Sequence, residues 1–264
     1  MKKILVPETH INIPCNDNKL LKQALEKINH NSHLHALWHV INVNAVERLK
    51  MTDHGPVHAQ IVANIGLKIT RMLTENKVKM SITTNYKLNH EYAELVVVLA
   101  CLLHDLGMSI SRDGHEEYSL FLANELLYQI LDFLPIDEAT IVISEVLHAI
   151  ISHRSGGHPL TIEAGIVRVA DALDMSKGRS RIPYESGIID IYSISAAAIE
   201  NIKITEGKDK PIQINISMNN SAGIFQLDQL LKKKLAQSGI EKYISVRACI
   251  AQENEKKLLR EYSL

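Results

Sequence analysis

The chain has 264 residues, which is enough for one large domain or for a large and a small one. Its 46% of hydrophobic and 22% of charged residues are typical of a soluble globular protein. The net charge is only −1, so the composition argues against nucleic acid and against an anionic membrane as partners.

The start of the chain, MKKILVPETHINIP, contains an apolar stretch of only three residues. No run in the sequence reaches the roughly 18 consecutive apolar residues of a membrane span, so we expect neither a signal peptide nor a membrane anchor. The three cysteines, Cys15, Cys101 and Cys249, are widely separated. This pattern favours a reducing compartment over a disulfide framework, and we expect a cytoplasmic protein.

From about Lys19 to Lys177 the sequence has a helical pattern, because apolar residues recur at three- and four-residue steps. Breaks such as Pro135 and the pair Gly156 and Gly157 separate the periodic segments. The predicted helices are LLKQALEKI, HALWHVINVNAVERLK, HAQIVANIGLKITRMLTE, EYAELVVVLACLLH, EEYSLFLANELLYQILDFL, EATIVISEVLHAIISH and IEAGIVRVADALDMS.

After Pro183 apolar and polar residues alternate and isoleucine is frequent, which is typical of strands. The predicted strands are GIIDIYSI, AIENIKITEG, PIQINISMN and EKYISVRACIA. We expect a hairpin turn from Gly207 to Lys210, and a helix, FQLDQLLKKKLAQSG, that ends at Gly239. The expected fold class is therefore α+β, with a mainly helical domain in residues 1–184 and a small α+β unit in residues 185–264 for dimerisation or regulation.

The most informative feature is the pair His104 and Asp105, which closes a run of nine apolar residues and is followed by Gly107. A helix this apolar is buried on all sides. An imidazole and a carboxylate at its end are metal ligands more often than core residues. Because a carboxylate has two oxygens, Asp105 can bridge two ions, whereas an imidazole cannot.

Two more histidines lie where other helices can bring them alongside this pair. His58 is early in one predicted helix, and His115 is in the first turn of another. For a further position His148 and His153 compete, because residues five apart point about 140° apart around a helix. We favour His153 as the ligand, since it continues the more apolar face, and regard His148 as a neighbouring group or an active-site acid.

The last predicted helix offers two carboxylates, Asp171 and Asp174, as rival ligands. A buried aspartate needs a partner, either a metal or a cation such as Arg168. Beyond this helix, Lys177, Arg179 and Arg181 fall within five residues. They are candidates for holding phosphate oxygens, although a solvated basic loop has the same composition.

The order His, His-Asp, His, His, Asp on successive helices resembles the HD-domain superfamily of metal-dependent phosphohydrolases. The resemblance covers about residues 30–182 and rests mainly on LLHDLG, AIISHRSGG and VRVADALD. It is strongest to the two-metal members that hydrolyse dinucleoside polyphosphates. In those proteins an Ala-Ile-x-x-His-x-x-Gly segment precedes an Ala-Asp by the interval seen here between His153 and Asp171.

The resemblance implies a ligand set for two divalent ions of Fe, Mn, Mg, Ni, Co or Zn. One ion would be held by His58, His104, Asp105 and Asp171, and the other by Asp105, His115 and His153. The cyclic-dinucleotide phosphodiesterases of the HD-GYP type differ from this chain. Met108 stands in place of their lysine, and the loop reads Gly-Gly-His-Pro instead of Gly-Tyr-Pro.

The function implied is hydrolysis of a nucleotide or a related phosphate ester by a hydroxide that bridges two metal ions. In this scheme Asp105 bridges the ions, His148 is the candidate acid, and Lys177, Arg179 and Arg181 bind phosphate. We expect a phosphorylated small molecule or nucleotide as substrate, and a homo-oligomer. Two alternatives stay open: some similar folds are di-iron oxygenases, and a sensor would bind a nucleotide without turnover.

Overall fold

The computed structural model describes residues 9–154, 156–175 and 191–250 together with Val6, and the backbone alone of residues 192, 193 and 261–263. The first part is helical, and all seven predicted helices are confirmed. A short helix at Ser81–Tyr86 was not predicted. The helices are α1 (Lys19–Asn29), α2 (Ser32–Asn42), which continues as a π-helix (Val43–Arg48), α3 (Pro56–Glu75), α4 (Ser81–Tyr86), α5 (His90–Leu103), α6 (His115–Ile130), α7 (Ile136–Ser152) and α8 (Ile162–Leu173).

Helix α5 is the centre of the domain. Every residue from Ala93 to Leu103 is buried, because α1, α3, α7 and α8 pack around it. Among the described residues, His90–Ser109 is the one helical stretch long and apolar enough to cross a membrane, but 89% of its apolar window is buried inside the protein. Its composition is therefore that of a core helix.

Side-chain caps determine where several of these helices begin. Asn18, Asn31 and Thr161 each accept a hydrogen bond from the backbone N–H three residues later, at the starts of α1, α2 and α8. These bonds satisfy N–H groups that have no partner within the helix. Pro56 occupies the first position of α3, where its missing N–H costs nothing.

The C-terminal unit is an α+β structure, as predicted. Its elements are α9 (Ile191–Ala197), β1 (Ile199–Glu206), β2 (Ile212–Met218), β3 (Ile244–Ile250) and β4 (Glu261–Ser263), with a helical segment, α10, between β2 and β3. Segment α10 consists of Ile224–Gln226, a π-helical part at Leu227–Leu231, and Lys232–Leu235. The sheet order is β1-β2-β3-β4, in which β1 and β2 form the predicted antiparallel hairpin and β2 pairs in parallel with β3.

One of the strand predictions is wrong for the residues that the structure describes. The segment GIIDIYSI was expected to be extended, but Ile191–Ala197 is helix α9. Isoleucines at 191 and 194 and Ala198 also fit the spacing of a helix face, so the short apolar run was ambiguous. The Ser195 hydroxyl bonds the Ile191 carbonyl and accepts from Gln226 of α10, so packing on α10 favours the helix. Residues 187–190, and the expected domain boundary near residue 184, lie outside the described residues.

Helix α8 is the main contact between the helical domain and the C-terminal unit. A Cβ added to Gly165 would lie 2.1 Å from the carbonyl oxygen of Ser238, so only glycine allows this approach. One helical turn later, the buried Arg168 donates to the carbonyl of Lys234 at 2.9 Å, and to that of Gly157, after α7, at 2.6 Å. A single guanidinium thus ties the end of α10 to the loop that follows α7.

We expect Gly165→Ala to lower the free energy of unfolding by about 1–3 kcal/mol, the usual cost of adding a group to a filled interior. The control is Gly156→Ala, because a Cβ there meets nothing within 4 Å. Denaturant unfolding of both variants measures the difference. Equal stability would contradict the close packing of the C-terminal unit on α8.

Candidate metal centre

The structure brings all six predicted metal ligands together. They come from five helices or their ends and are His58, His104, Asp105, His115, His153 and Asp171. Two groups of three have ligand atoms within 4.8 Å of one another: His58, His104 and Asp171, and His104, Asp105 and His153. All six except Asp171 are buried, and the side chain of Asp171 is 15% exposed.

A sharp turn after α5 brings two of the ligands side by side. The chain passes from Asp105 into a 3-10 turn (Leu106–Ser109), in which a Cβ on Gly107 would lie 2.0 Å from the carbonyl oxygen of His115. The Gly107 N–H donates to the Ser119 hydroxyl, which lies 2.7 Å from the His104 carbonyl and 2.8 Å from that of His115. The start of α6 is therefore held against the end of α5.

Each histidine of the cluster is oriented through its Nδ1. In His104, His115 and His153 this nitrogen lies 2.7–2.9 Å from the backbone carbonyl three residues earlier. In His58 it lies 2.5 Å from Oδ2 of Asp174. Because carbonyls and carboxylates only accept, an Nδ1–H can donate in each of these contacts, and this leaves the Nε2 side of each ring facing the centre.

Two of the nitrogens that face the centre are close enough to share a proton or a metal ion. The Nε2 atoms of His58 and His104 are 3.3 Å apart. Two lone pairs at this distance repel each other unless a proton or a metal ion lies between them. Imidazole nitrogens and carboxylate oxygens together are the donors that divalent transition metals prefer. The residues present therefore fit a divalent metal.

The two oxygens of Asp105 face different imidazoles. Oδ2 lies 3.3 Å from Nε2 of His104 and 3.5 Å from Nε2 of His58. Oδ1 lies 3.2 Å from Nε2 of His115. The carboxylate thus stands between the His58 side of the cluster and the His115 side.

The pKa values in the cluster reflect strong electrostatic attraction between its carboxylates and imidazoles. Burial on its own raises the pKa of Asp105, but His104 and His115 beside it hold that pKa well below its usual range. Burial lowers the pKa of His104, and the neighbouring Asp105 and Asp171 outweigh this effect and raise it to about 9. Burial and the nearby His104 keep the pKa of His153 well below normal. The carboxylates stay ionised, so the centre attracts cations.

The structure separates the rival ligands. His153 is in the cluster, with its ring centroid 4.9 Å from that of His104. His148 is half-buried, and its Nε2 accepts a hydrogen bond from the Leu160 N–H at 2.9 Å. This hydrogen bond joins His148 to the loop after α7, and its predicted role as an acid stays a prediction.

The two carboxylates at the end of α8 contact opposite nitrogens of the His58 ring. Oδ1 of Asp171 lies 3.4 Å from Nε2 of His58, whereas Asp174 binds the opposite nitrogen of the same ring. Asp171 therefore faces the centre, and Asp174 lies where it can orient the His58 ring. The predicted phosphate-binding residues Lys177, Arg179 and Arg181 lie outside the described residues.

Two side chains that lie beside the cluster were not identified from the sequence. Lys234 of α10 bonds Oδ2 of Asp171, the position for which Arg168 was suggested. Its place in a run of three lysines gave no sign of burial. The second neighbour is His54, which lies just before α3. Its ring centroid lies 5.6 Å from that of His58.

We expect His153→Ala to reduce metal content and His148→Ala to leave it near the level of the unchanged protein. The reason is that only the His153 ring faces the other ligands. Metal analysis on folded protein, with circular dichroism as a check of folding, measures the effect. A larger loss of metal in His148→Ala would reverse the assignment.

Comparison with known proteins gives two findings. The HD domain family model matches residues 56–176, from the first residue of α3 to just beyond α8. An uncharacterised protein of Methanocaldococcus jannaschii, MJ1020, is 40% identical over 244 residues, which are 92% of this chain and 93% of that protein. The second similarity therefore extends from the helical domain into the C-terminal unit. No solved structure matches the chain.

Proposed function

Because the chain belongs to the HD-domain superfamily, we propose that it is a metal-dependent phosphohydrolase that acts on a nucleotide or a related phosphate ester. The observation that carries the proposal is the convergence of four imidazole Nε2 atoms with Asp105 and Asp171 in one buried cluster. A bound divalent ion supplies Lewis-acid activation of water and neutralises phosphate oxygens. The family relationship favours phosphate esters over other substrates of such a centre.

We propose that two ions bind. The cluster offers more donors than the four that a tetrahedral ion takes. Asp105 turns one oxygen toward His58 and His104 and the other toward His115, an arrangement that suits a bridge between two ions. The charges of Asp105 and Asp171 offset part of the repulsion between two cations.

The chain's own groups prepare the site for an anionic substrate. The buried imidazoles and their Nδ1 hydrogen bonds hold the donor atoms in place before a metal arrives, which reduces the cost of ordering them. Asp171 is the most exposed of the six ligands, so we propose that the substrate approaches from its side. Lys177, Arg179 and Arg181 follow Asp171 in the chain and remain our candidates for binding phosphate.

The test is a phosphate-release screen over mono- and dinucleotides, run on protein loaded separately with Mn²⁺, Fe²⁺, Co²⁺, Ni²⁺, Zn²⁺ and Mg²⁺. We expect release from at least one nucleotide class, and a loss of more than about 100-fold in Asp105→Asn, since even groups that only support ligands contribute 10–100-fold. Oxygen uptake that depends on iron, without phosphate release, would identify an oxygenase instead. Stabilisation by a nucleotide without turnover would identify a sensor.

The bridging role of Asp105 predicts an asymmetry in metal content. Asp105→Ala should lose both ions together, because each ion loses a ligand and the charge between them is gone. His115→Ala should lose mainly one ion, since His58, His104, Asp105 and Asp171 remain. Metal content per chain, measured on folded protein, distinguishes the outcomes. Two ions retained in Asp105→Ala would exclude the bridge.

A further inference from the structure

We infer that Lys234, in the C-terminal unit, is a positioning residue of the metal centre, which orients the ligand Asp171. The inference depends on a metal binding at the cluster, and it holds for any reaction performed there. It also means that the C-terminal unit, which the sequence suggested for dimerisation or regulation, completes the metal site of the helical domain.

The two oxygens of Asp171 have different partners. Oδ1 lies 3.4 Å from Nε2 of His58 and 3.8 Å from Nε2 of His104, the nitrogens that face the centre. Oδ2 is bonded by the ammonium group of Lys234. The lysine therefore bonds the other oxygen of the carboxylate, not the one that the two imidazoles approach. By holding Oδ2, it fixes the rotation of the carboxylate and keeps Oδ1 directed at the metal position.

Lys234 is not a flexible surface lysine. Its side chain is 14% exposed and that of Asp171 is 15% exposed, so the ion pair is largely removed from water. Its backbone carbonyl accepts from Arg168 Nε at 2.9 Å. Arg168 and Asp171 are three residues apart on α8, so one face of this helix holds both the backbone and the side chain of Lys234. The ordering cost of a long side chain is thereby reduced.

The neighbouring lysines have a different environment and provide matched controls. Lys232 bonds Asp228 at 3.1 Å, and Lys233 bonds Gln229 at 2.6 Å, both at exposed positions on α10. Lys233, whose ammonium group donates to Gln229 on the exposed side of α10, is the matched control used below. The carbonyl of Lys233 also accepts from Arg168, but a side-chain substitution leaves this bond in place.

The same geometry favours this role over the opposite one, in which the ammonium group would block the metal. A blocking group would take the oxygen that faces the imidazoles, whereas Lys234 takes the other one. The two roles predict opposite effects. Removal of a positioning group weakens metal binding, and removal of a competitor strengthens it. Supporting hydrogen bonds of metal ligands typically contribute about 10–100-fold to metal affinity.

The experiment uses the full-length protein, freed of metal and titrated with Co²⁺ in the absence of substrate. We expect Lys234→Met to weaken Co²⁺ binding by about 10–100-fold and to change the visible absorption of the bound ion, because one ligand carboxylate loses its orientation. Lys233→Met should bind as the unchanged protein does. Lys234→Arg should restore most of the affinity and the spectrum, since it keeps a cationic donor.

Circular dichroism and thermal unfolding separate this effect from misfolding. If Lys234→Met does not fold, Lys234→Leu, which likewise has no donor for Oδ2, replaces it. Unchanged Co²⁺ affinity and spectrum in the folded variant, or tighter binding, would overturn the inference. Because no substrate is present, the result is independent of phosphate release. Failure of the nucleotide screen would therefore affect the proposed function and leave the role of Lys234 intact.

Discussion

The structure depends on a buried carboxylate, Asp105, that is surrounded by imidazoles. An ionised carboxylate without partners in a protein interior costs many kcal/mol, so it persists only where cations or hydrogen-bond donors compensate its charge. Here three Nε2 atoms lie within 3.5 Å of its oxygens. The imidazoles in turn need a cation between their lone pairs. The centre is therefore stable as a unit with a proton or a metal, and the surrounding helices are arranged to hold it.

The ends of α5 and α7 orient two of these imidazoles. The last carbonyls of a helix have no partner within it. In α5 and α7 the carbonyls of Cys101 and Ile150 receive the Nδ1–H of His104 and His153, so one hydrogen bond both satisfies the helix end and points Nε2 at the centre. Gly107 and the hydroxyl of Ser119 then bring α6 close enough for His115 to face Asp105.

The C-terminal unit differs from the helical part in sequence pattern, but its Lys234 lies beside the candidate metal centre. Helix α8 carries the close contact at Gly165, the guanidinium of Arg168 and the carboxylate of Asp171 along its length, and each of the three contacts the unit. A displacement of α10 would move Lys234, and with it the orientation of a metal ligand.

The sequence by itself determined seven helices of the first part, the α+β unit and the six residues that cluster, because periodicity and the polar end of an apolar helix are local signals. It also favoured His153, since only one of two histidines can continue the apolar face. Tertiary structure alone decided the helix at Ile191–Ala197, where packing on α10 resolves a run that fits either period. It also decided the role of Lys234, which lies 63 residues from Asp171 and is one of three adjacent lysines. Which of them is buried depends on how α10 lies on α8, a long-range contact that composition and spacing do not encode.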